Sequence, residues 1–557
     1  MGKQNSDRPA VLGGAPVFVQ TVQEPAFPKL DKWKQMTEEE AQVAYDMTLR
    51  NELSGGTPVV REFEQQWREM IGTKYAITVM NGTASLFSAF FGVGIGPGDE
   101  VICPTYTWIC TIAPAVVLGA RPVFCESDPE SMMIDPADIR KKITSKTAGI
   151  VVVHLWGNVC DMDPIMEISR ETGIPVIEDC SHAHGAMYKN RACGSIGHAG
   201  CWSLQGSKPT SAGEAGVIAT NDTEIFERAC LIGQVNRISG MDLVTEKYAK
   251  YQPLGTGMKF RAHPLGVGIA QVQLRKLKDL NARRSAYIEE VEAGLEDIPG
   301  VKPVKVYDGA VRGGFYGFPI IHIPEENEGL SSQAFADALR QEGLPVHLSG
   351  YPALHRLPIF AEGFDVFTRN RGPLCGDYPG YKEGDFPVTE NMLEHLVFLP
   401  VLSDPVPDAA QRVLEAIRKV AEHASQLVPA NKAETDSSII TTVQITNGDE
   451  ATGKKPRTLA IEDPLIGEYN TPVNSWHDVL KYVLSYVAND ADEERLAERC
   501  PKYINSDPNQ LRKPQRLVDY YFETNLSARE IYNICVEAME EISMSKETDW
   551  KVFAIKN

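Results

Sequence analysis

The chain has 557 residues, of which 43% are hydrophobic and 23% charged, and carries a formal net charge of −20. That length exceeds a single core and predicts about three domains, while the acidic balance argues against a nucleic-acid-binding surface, which needs a basic patch. No apolar run reaches the length of about 18 residues that would predict a membrane-spanning helix, residues 1–10 lack the apolar stretch of a secretory signal, and the 11 cysteines contain no C-x-x-C pair, so a cytoplasmic chain with reduced thiols is expected.

Along the chain, Asn81-Gly82-Thr83-Ala84-Ser85 precedes an apolar, helix-like run at 86–91. Glycine lets the backbone approach a ligand, and the free N–H groups of a helix start favour an anion; an ordinary strand-to-helix turn carries the same signature. Gly96-Pro97-Gly98-Asp99 reads as a turn into a short strand at 100–103, followed by Pro104-Thr105-Tyr106-Thr107-Trp108. Trp108 is either a core residue, the commoner fate of a lone tryptophan, or a stacking surface at a ligand site. Residues 150–153 read as a fully buried strand. Asp163-Pro164 reads as the N-cap and first position of a helix that closes before Gly173, and 175–177 as the next strand. This βαβ unit implies a parallel sheet, with its ligand site at the carboxyl ends of the strands. Asp179 stands at such an end.

The run Cys201-Trp202-Ser203-Leu204-Gln205-Gly206-Ser207-Lys208 sets a hydroxyl shortly before a lysine, and the glycine-rich Ala212-Gly213-Glu214-Ala215-Gly216 follows. Upstream, Glu178-Asp179 closes an apolar run and leads into Cys180-Ser181-His182-Ala183-His184-Gly185. A strand-end carboxylate, a hydroxyl and a lysine are the parts that hold pyridoxal phosphate: the lysine forms a Schiff base and the aspartate partners the pyridinium nitrogen. The plainer alternative for Asp179 is a solvated strand-end acid. No carboxylate or thiolate cluster accompanies His182 and His184, so no metal site is read there.

From 303 to 400 the texture changes. A strand at 315–321, a helix at 332–343 and Leu399-Pro400 suggest a smaller α+β domain, and 408–427 reads as a helix with Val413, Leu414, Ile417 and Val420 on one stripe. Residues 430–455 form a polar stretch. Beyond it, Ser475 caps one expected helix, Ser527 and Glu530 form a capping box before another, and Tyr520-Tyr521-Phe522 reads as a strand. The expected division is 1–300 for a large ligand-binding domain with an N-terminal arm, 301–428 for a smaller domain, 429–457 for a linker and 458–557 for an accessory α+β domain without an assigned role.

Residues from about Ala10 to Leu427 resemble the DegT/DnrJ/EryC1/StrS family of pyridoxal-phosphate-dependent sugar aminotransferases, a fold-type I group. The resemblance rests on the 81–86, 104–108, 178–186 and 203–216 motifs and on Lys259-Phe260-Arg261. Leu12-Gly13-Gly14-Ala15-Pro16 and His182 bring it nearest the branch that aminates keto-inositols and related keto-sugars. It implies a mainly parallel sheet flanked by helices, a smaller α+β domain and a homodimer with shared active sites. Lys208 would be the catalytic amine and proton carrier, Asp179 would keep the pyridine nitrogen protonated, and His182 would meet the cofactor's phenolate oxygen. Gly82, Thr83, Ala84 and Ser203 would hold the phosphate, with Trp108 at the ring. Lys259 stands where relatives place asparagine and would reach the neighbouring subunit's phosphate as a point charge. Ala215 replaces a commoner glycine, and Pro209 restricts Lys208 to extended backbone. The family's sugar dehydratases carry histidine at the lysine position, so Lys208 argues against that chemistry. Substrate contacts come from variable loops, for which Arg261, Tyr316, His347 and Tyr351 are the candidates. The implied reaction passes the amino group of L-glutamine or L-glutamate to the cofactor, giving pyridoxamine phosphate, and then to a keto-sugar or keto-cyclitol. The alternatives are another reaction of the same cofactor (elimination, racemisation or oxidation) and a regulatory or scaffolding role through the C-terminal module. Neither nucleic acid nor membrane is expected as a partner.

Overall fold

A computed structural model describes residues 8–18, 36–236, 243 and 245–428, together with the backbone of six short strands between 458 and 553. The chain separates into two units, Met1–Leu427 and Val428–Asn557. Among the described residues no helix is long and apolar enough to cross a membrane.

The strands of the first unit begin with β1 (Tyr75–Val79), β2 (Glu100–Pro104), β3 (Arg121–Cys125), β4 (Thr147–Val153) and β5 (Val176–Asp179). A small hairpin, β6 (Met187–Tyr188) and β7 (Arg191–Ala192), then precedes β8 (Ala199–Ser203) and β9 (Gly216–Thr220). Seven of these form one sheet in the order β1-β9-β8-β5-β4-β2-β3. Pairing is parallel from β3 through β2, β4 and β5 to β8, and β9 runs antiparallel to both of its neighbours. The near-continuous apolar runs are explained by burial on both faces of the sheet. Along β4, Ile150 and Val152 enter one core and Val151 the other, as the two-residue period of a strand requires. Phe63 and Trp67 from the helix Pro58–Ile71 cover the first face, and Leu86, Ala89 and Phe90 from the helix Gly82–Val93 lie in the core on the second. Trp67 and Trp202, both fully buried, meet edge to face at 5.5 Å, a geometry worth about 0.5–1.5 kcal/mol beyond area burial.

The helix expected from Asp163-Pro164 spans Met162–Thr172, with Asp161 as its N-cap. Pro164 therefore sits inside the first turn, where its missing N–H removes no intrahelical bond. The remaining strands of this unit are β10 (Val301–Pro303), β11 (Ala310–Val311), β12 (Phe318–His322) and β13 (Leu396–Leu399). β10, β12 and β13 make a three-stranded antiparallel sheet, while β11 joins the β6–β7 hairpin. The strand expected at 315–321 starts only at Phe318, because Gly314 and Phe315 take positive φ values of 74° and 52° and turn the chain. The helices Ser332–Gln341 and Ala409–Ala421 follow the expected positions. Buried Glu342 and Lys419 pair at 2.9 Å. The Glu342 carboxylate also accepts from the N–H groups of Ala10 (2.6 Å) and Val17 (3.0 Å), which straps the N-terminal segment to the end of the helix Ser332–Gln341.

In the second unit, β14 (Thr458–Asp463), β15 (Gly467–Pro472), β16 (Ile504–Asn505), β17 (Pro514–Leu517), β18 (Tyr520–Glu523) and β19 (Trp550–Phe553) form two antiparallel sheets, ordered β15-β14-β19 and β16-β18-β17. β18 is the strand read at Tyr520-Tyr521-Phe522. The helices expected after Ser475 and Ser527, and the 429–457 linker, lie outside the described residues.

Candidate active site

A cavity of about 480 Å³ lies at the carboxyl ends of the parallel strands. Asn81, Gly82 and Thr83 reach it after β1, Thr107, Trp108 and Thr111 after β2, and Asp179, Ser181 and His182 from the end of β5. Ser203, Gln205, Ser207 and Lys208 come from the end of β8, Glu214 from just before β9, Tyr316 from the turn before β12, and Tyr351 from the connection between the helix Ser332–Gln341 and β13. Strand ends collect these residues because each parallel strand delivers its following loop to the same edge of the sheet.

One end of the cavity is built for an anion. Asn81 caps the helix Gly82–Val93, its side chain accepting from the N–H of Ala84 at 2.8 Å. That cap leaves the N–H groups of Gly82 and Thr83 as the first unpaired donors of an apolar helix, at its positive end. The backbones here are too close for side chains. A Cβ on Gly82 would lie 2.7 Å from Ser203 Cβ, and one on Gly216 would lie 2.4 Å from Asn81 O. The helix start, the end of β8 and the start of β9 are thus drawn into one cradle, beside which Ser203 places a hydroxyl.

At the other end Asp179 is 5% exposed. Its Oδ2 accepts from Thr111 Oγ1 at 2.8 Å and its Oδ1 from the Ser181 N–H at 3.1 Å. Thr107 Oγ1 lies 2.9 Å from Thr111 Oγ1, so two hydroxyls in series orient the carboxylate. The preceding residue, Glu178, is fully buried and engaged elsewhere. Its carboxylate accepts from the N–H groups of Gly194 (2.7 Å), Ile196 (2.8 Å) and Gly197 (2.6 Å) and lies 3.1 Å from His154 Nε2.

Lys208 sits in the turn after β8, with its N–H bonded to Gln205 O at 2.8 Å and its Nζ 3.8 Å from the centre of the Tyr316 ring. Tyr316 stacks on His182 with ring centres 3.9 Å apart and planes 2° from parallel. The Trp156 N–H donates to His182 Nδ1 at 3.3 Å, which leaves the proton of the neutral ring on Nε2. Trp156 makes this bond from a left-handed φ of 58°, a strained state of the kind that gathers at functional sites. Behind this group, fully buried His184 has its pKa lowered to about 3, first by burial and then by the charge of Lys208. Tyr351 stacks on Tyr106 at 4.8 Å and meets Trp108 edge-on at 5.8 Å. Burial pushes its phenol well above the usual range.

The structure therefore gathers Gly82, Thr83, Trp108, Asp179, His182, Ser203, Lys208, Tyr316 and Tyr351 in one wall, with Ala84 one residue behind. Trp108 is 52% exposed and is not a core residue. Three other candidates stand outside the wall. Lys259 is exposed and bridges Gln234 by its backbone. Arg261 bridges Val79 and lies against Gly55. His347 stacks on Phe398 at 4.9 Å. Sequence reasoning missed Thr111 and Ser181 as partners of Asp179. The residue types were visible, but the fold alone brings Thr111 to the end of β5.

The sequence model of the DegT/DnrJ/EryC1/StrS aminotransferase family matches residues 34–418. The chain is 31% identical over 427 residues to a protein of Streptoalloteichus tenebrarius named as a candidate L-glutamine:3-amino-2,3-dideoxy-scyllo-inosose aminotransferase, covering 75% of this chain and 99% of that one. It is 30% identical over 376 residues to the spore coat polysaccharide biosynthesis protein SpsC of Bacillus subtilis, covering 66% and 90%. An aminotransferase from Psychrobacter cryohalolentis has a similar solved structure, with a TM-score of 0.62 at 27% identity, covering 71% of this chain and 99% of that one. Enzymes of this family depend on pyridoxal phosphate, and the cavity fits that molecule. Its glycine-tight cradle suits a phosphate, its buried carboxylate suits a protonated ring nitrogen, and its lysine suits an aldehyde.

Proposed function

The chain belongs to the DegT/DnrJ/EryC1/StrS aminotransferase family and is a pyridoxal-phosphate-dependent aminotransferase; from that premise we propose that it works as a cytoplasmic homodimer that moves the amino group of L-glutamine or L-glutamate to the ketone of a keto-sugar or keto-cyclitol. One observation carries the reading: the amine of Lys208, the buried carboxylate of Asp179 and the start of the helix Gly82–Val93 meet in a single cavity. The S. tenebrarius relative, named for glutamine and an aminoinosose, supports the choice of donor and acceptor.

When bound, pyridoxal phosphate supplies an electrophilic aldehyde and a ring that accepts electrons. The residues of the chain do the rest. Gly82, Thr83 and Ser203 hold the phosphate through backbone N–H groups and a hydroxyl. Asp179, oriented by Thr111, keeps a proton on the ring nitrogen. His182 would offer its Nε2–H to the cofactor, and Trp108 would offer an aromatic face at the rim. Lys208 would hold the aldehyde end of the cofactor through Nζ, and the same amine would serve as the base that moves a proton at the donor's α-carbon. Tyr316 and Tyr351 supply phenols to an acceptor rich in hydroxyls. The homodimer is supported by exposed Lys259. Its neighbour Phe260 accepts from the N–H of Met80, one residue from Asn81, so this segment borders the phosphate end and can serve a second copy.

Borohydride reduction of the loaded enzyme followed by peptide mapping tests the anchor. A pyridoxyl label on Lys208 is expected, and its absence overturns the assignment. Mass spectrometry of products formed by the aminated enzyme from a panel of keto-sugars and inososes then tests the acceptor class. An amine on none of them removes the sugar reading.

A further inference from the structure

Tyr316 is reached by an unusual path. After pairing with β6 through β11, the chain crosses the loop that follows Asp179 at backbone contact. A Cβ on Gly313 would lie 2.4 Å from Ala186 N, and one on Gly314 would lie 2.5 Å from His182 O and 3.0 Å from Pro209 Cγ, next to Lys208. Two residues of the long helix Pro264–Leu295, neither of them in the cavity wall, pin this crossing. Asn281 accepts from the Gly314 N–H at 2.9 Å and donates to His184 O at 2.9 Å, so one amide ties both strands of the crossing together. Fully buried Arg284 donates to Gly314 O at 2.8 Å and to Ser403 Oγ at 2.8 Å. Phe315 turns at φ 52°, and Tyr316 emerges stacked on His182 with the Lys208 Nζ at its ring.

We propose that Tyr316 is a positioning residue that steers the Lys208 amine, and that Asn281 and Arg284 fix it in place from outside the cavity. The inference rests on the aminotransferase reading and adds residues to it. A ring face attracts the protonated amine without a directional bond, so Tyr316 holds Nζ beside the cavity while it carries its proton and lets go of it when the proton leaves. The other titratable groups lining the cavity with Lys208 and Tyr316 are Cys110, Asp179, His182, Glu214 and Tyr351, and fully buried His184 feels the charge of Lys208.

The test uses the full-length chain in its aminated form, where Nζ is not engaged by the cofactor. Acetic anhydride labelling across a pH series, read by mass spectrometry of the Lys208 peptide, gives the midpoint at which this amine loses its proton. Tyr316→Phe should follow the wild type. Tyr316→Leu should lower the midpoint by roughly half a pH unit, because the ring favours the charged form. Asn281→Ala should shift it in the same direction without touching Lys208. A wild-type midpoint in Tyr316→Leu or in Asn281→Ala overturns the proposal. Arg284→Gln, checked for folding by circular dichroism, gives a second reading of the remote effect. If the wild type takes no borohydride label at Lys208, the aminotransferase assignment fails separately, and the same midpoints measured without added cofactor still decide whether the ring holds the amine.

Discussion

Glu178 and Asp179 are adjacent acids on one strand with opposite fates. Glu178 points to the side of β5 where the 194–197 loop folds over it, and four groups saturate its oxygens. Asp179, on the other face, has one hydroxyl and one N–H and borders the cavity. Burial alone does not separate them, since both lie below the surface. What separates them is remaining capacity. A buried carboxylate whose acceptors are all filled by its own chain is structural, and one that keeps room beside a cavity can serve a ligand.

Substitutions can break this contrast. The largest effect is expected at Asp179. Asp179→Asn should lower turnover by about 10²–10⁴-fold, with the melting temperature close to wild type, as steady-state assays and thermal scans would show. A fold lost along with activity would erase the distinction. Glu178→Ala should instead unfold the chain first. It leaves buried donors unpaired, at about 3–5 kcal/mol, read as a lowered denaturant midpoint. Thr111→Val removes one bond to a charged group, about 1.5–3 kcal/mol, and should weaken cofactor retention on dialysis while leaving the fold intact. His184 gives the smallest effect and a pH signature. Its folded pKa is about 3, below the unfolded value of about 6.5. Between those values the unfolded chain binds a proton that the folded chain does not. Stability therefore falls as pH drops through that window, by about 2 kcal/mol at pH 5. Thermal scans of His184→Phe at pH 7 and pH 5 should show a shallower loss than wild type.

Much of the cavity was legible because its chemistry is concentrated in short motifs. A strand-end acid, the Ser203-to-Lys208 spacing and a glycine before an apolar helix each sit at the end of a strand, and one fold edge collects them. The tertiary partners were not legible. Thr111 reaches Asp179 only because β2 and β5 both lie beside β4 in the sheet. Asn281 and Arg284 lie in a helix whose sequence gives no sign of a loop crossing beneath it. The antiparallel course of β9 was hidden for a related reason, since a buried strand reads as the same apolar run in either direction. At 315–321 aromatic and β-branched residues promised a strand from Phe315, but two positive φ values deferred it to Phe318.

The cradle made by Asn81, Gly82, Ser203 and Gly216 has a consequence for handling the protein. Its backbones meet from distant stretches of chain, so the denatured ensemble contains no equivalent of it. A ligand that occupies it acts as a thermodynamic chaperone by mass action, adding about 2.7 kcal/mol at a hundredfold excess over its Kd. The melting curve should therefore climb with the logarithm of cofactor concentration, which offers an assay for occupancy that needs no substrate.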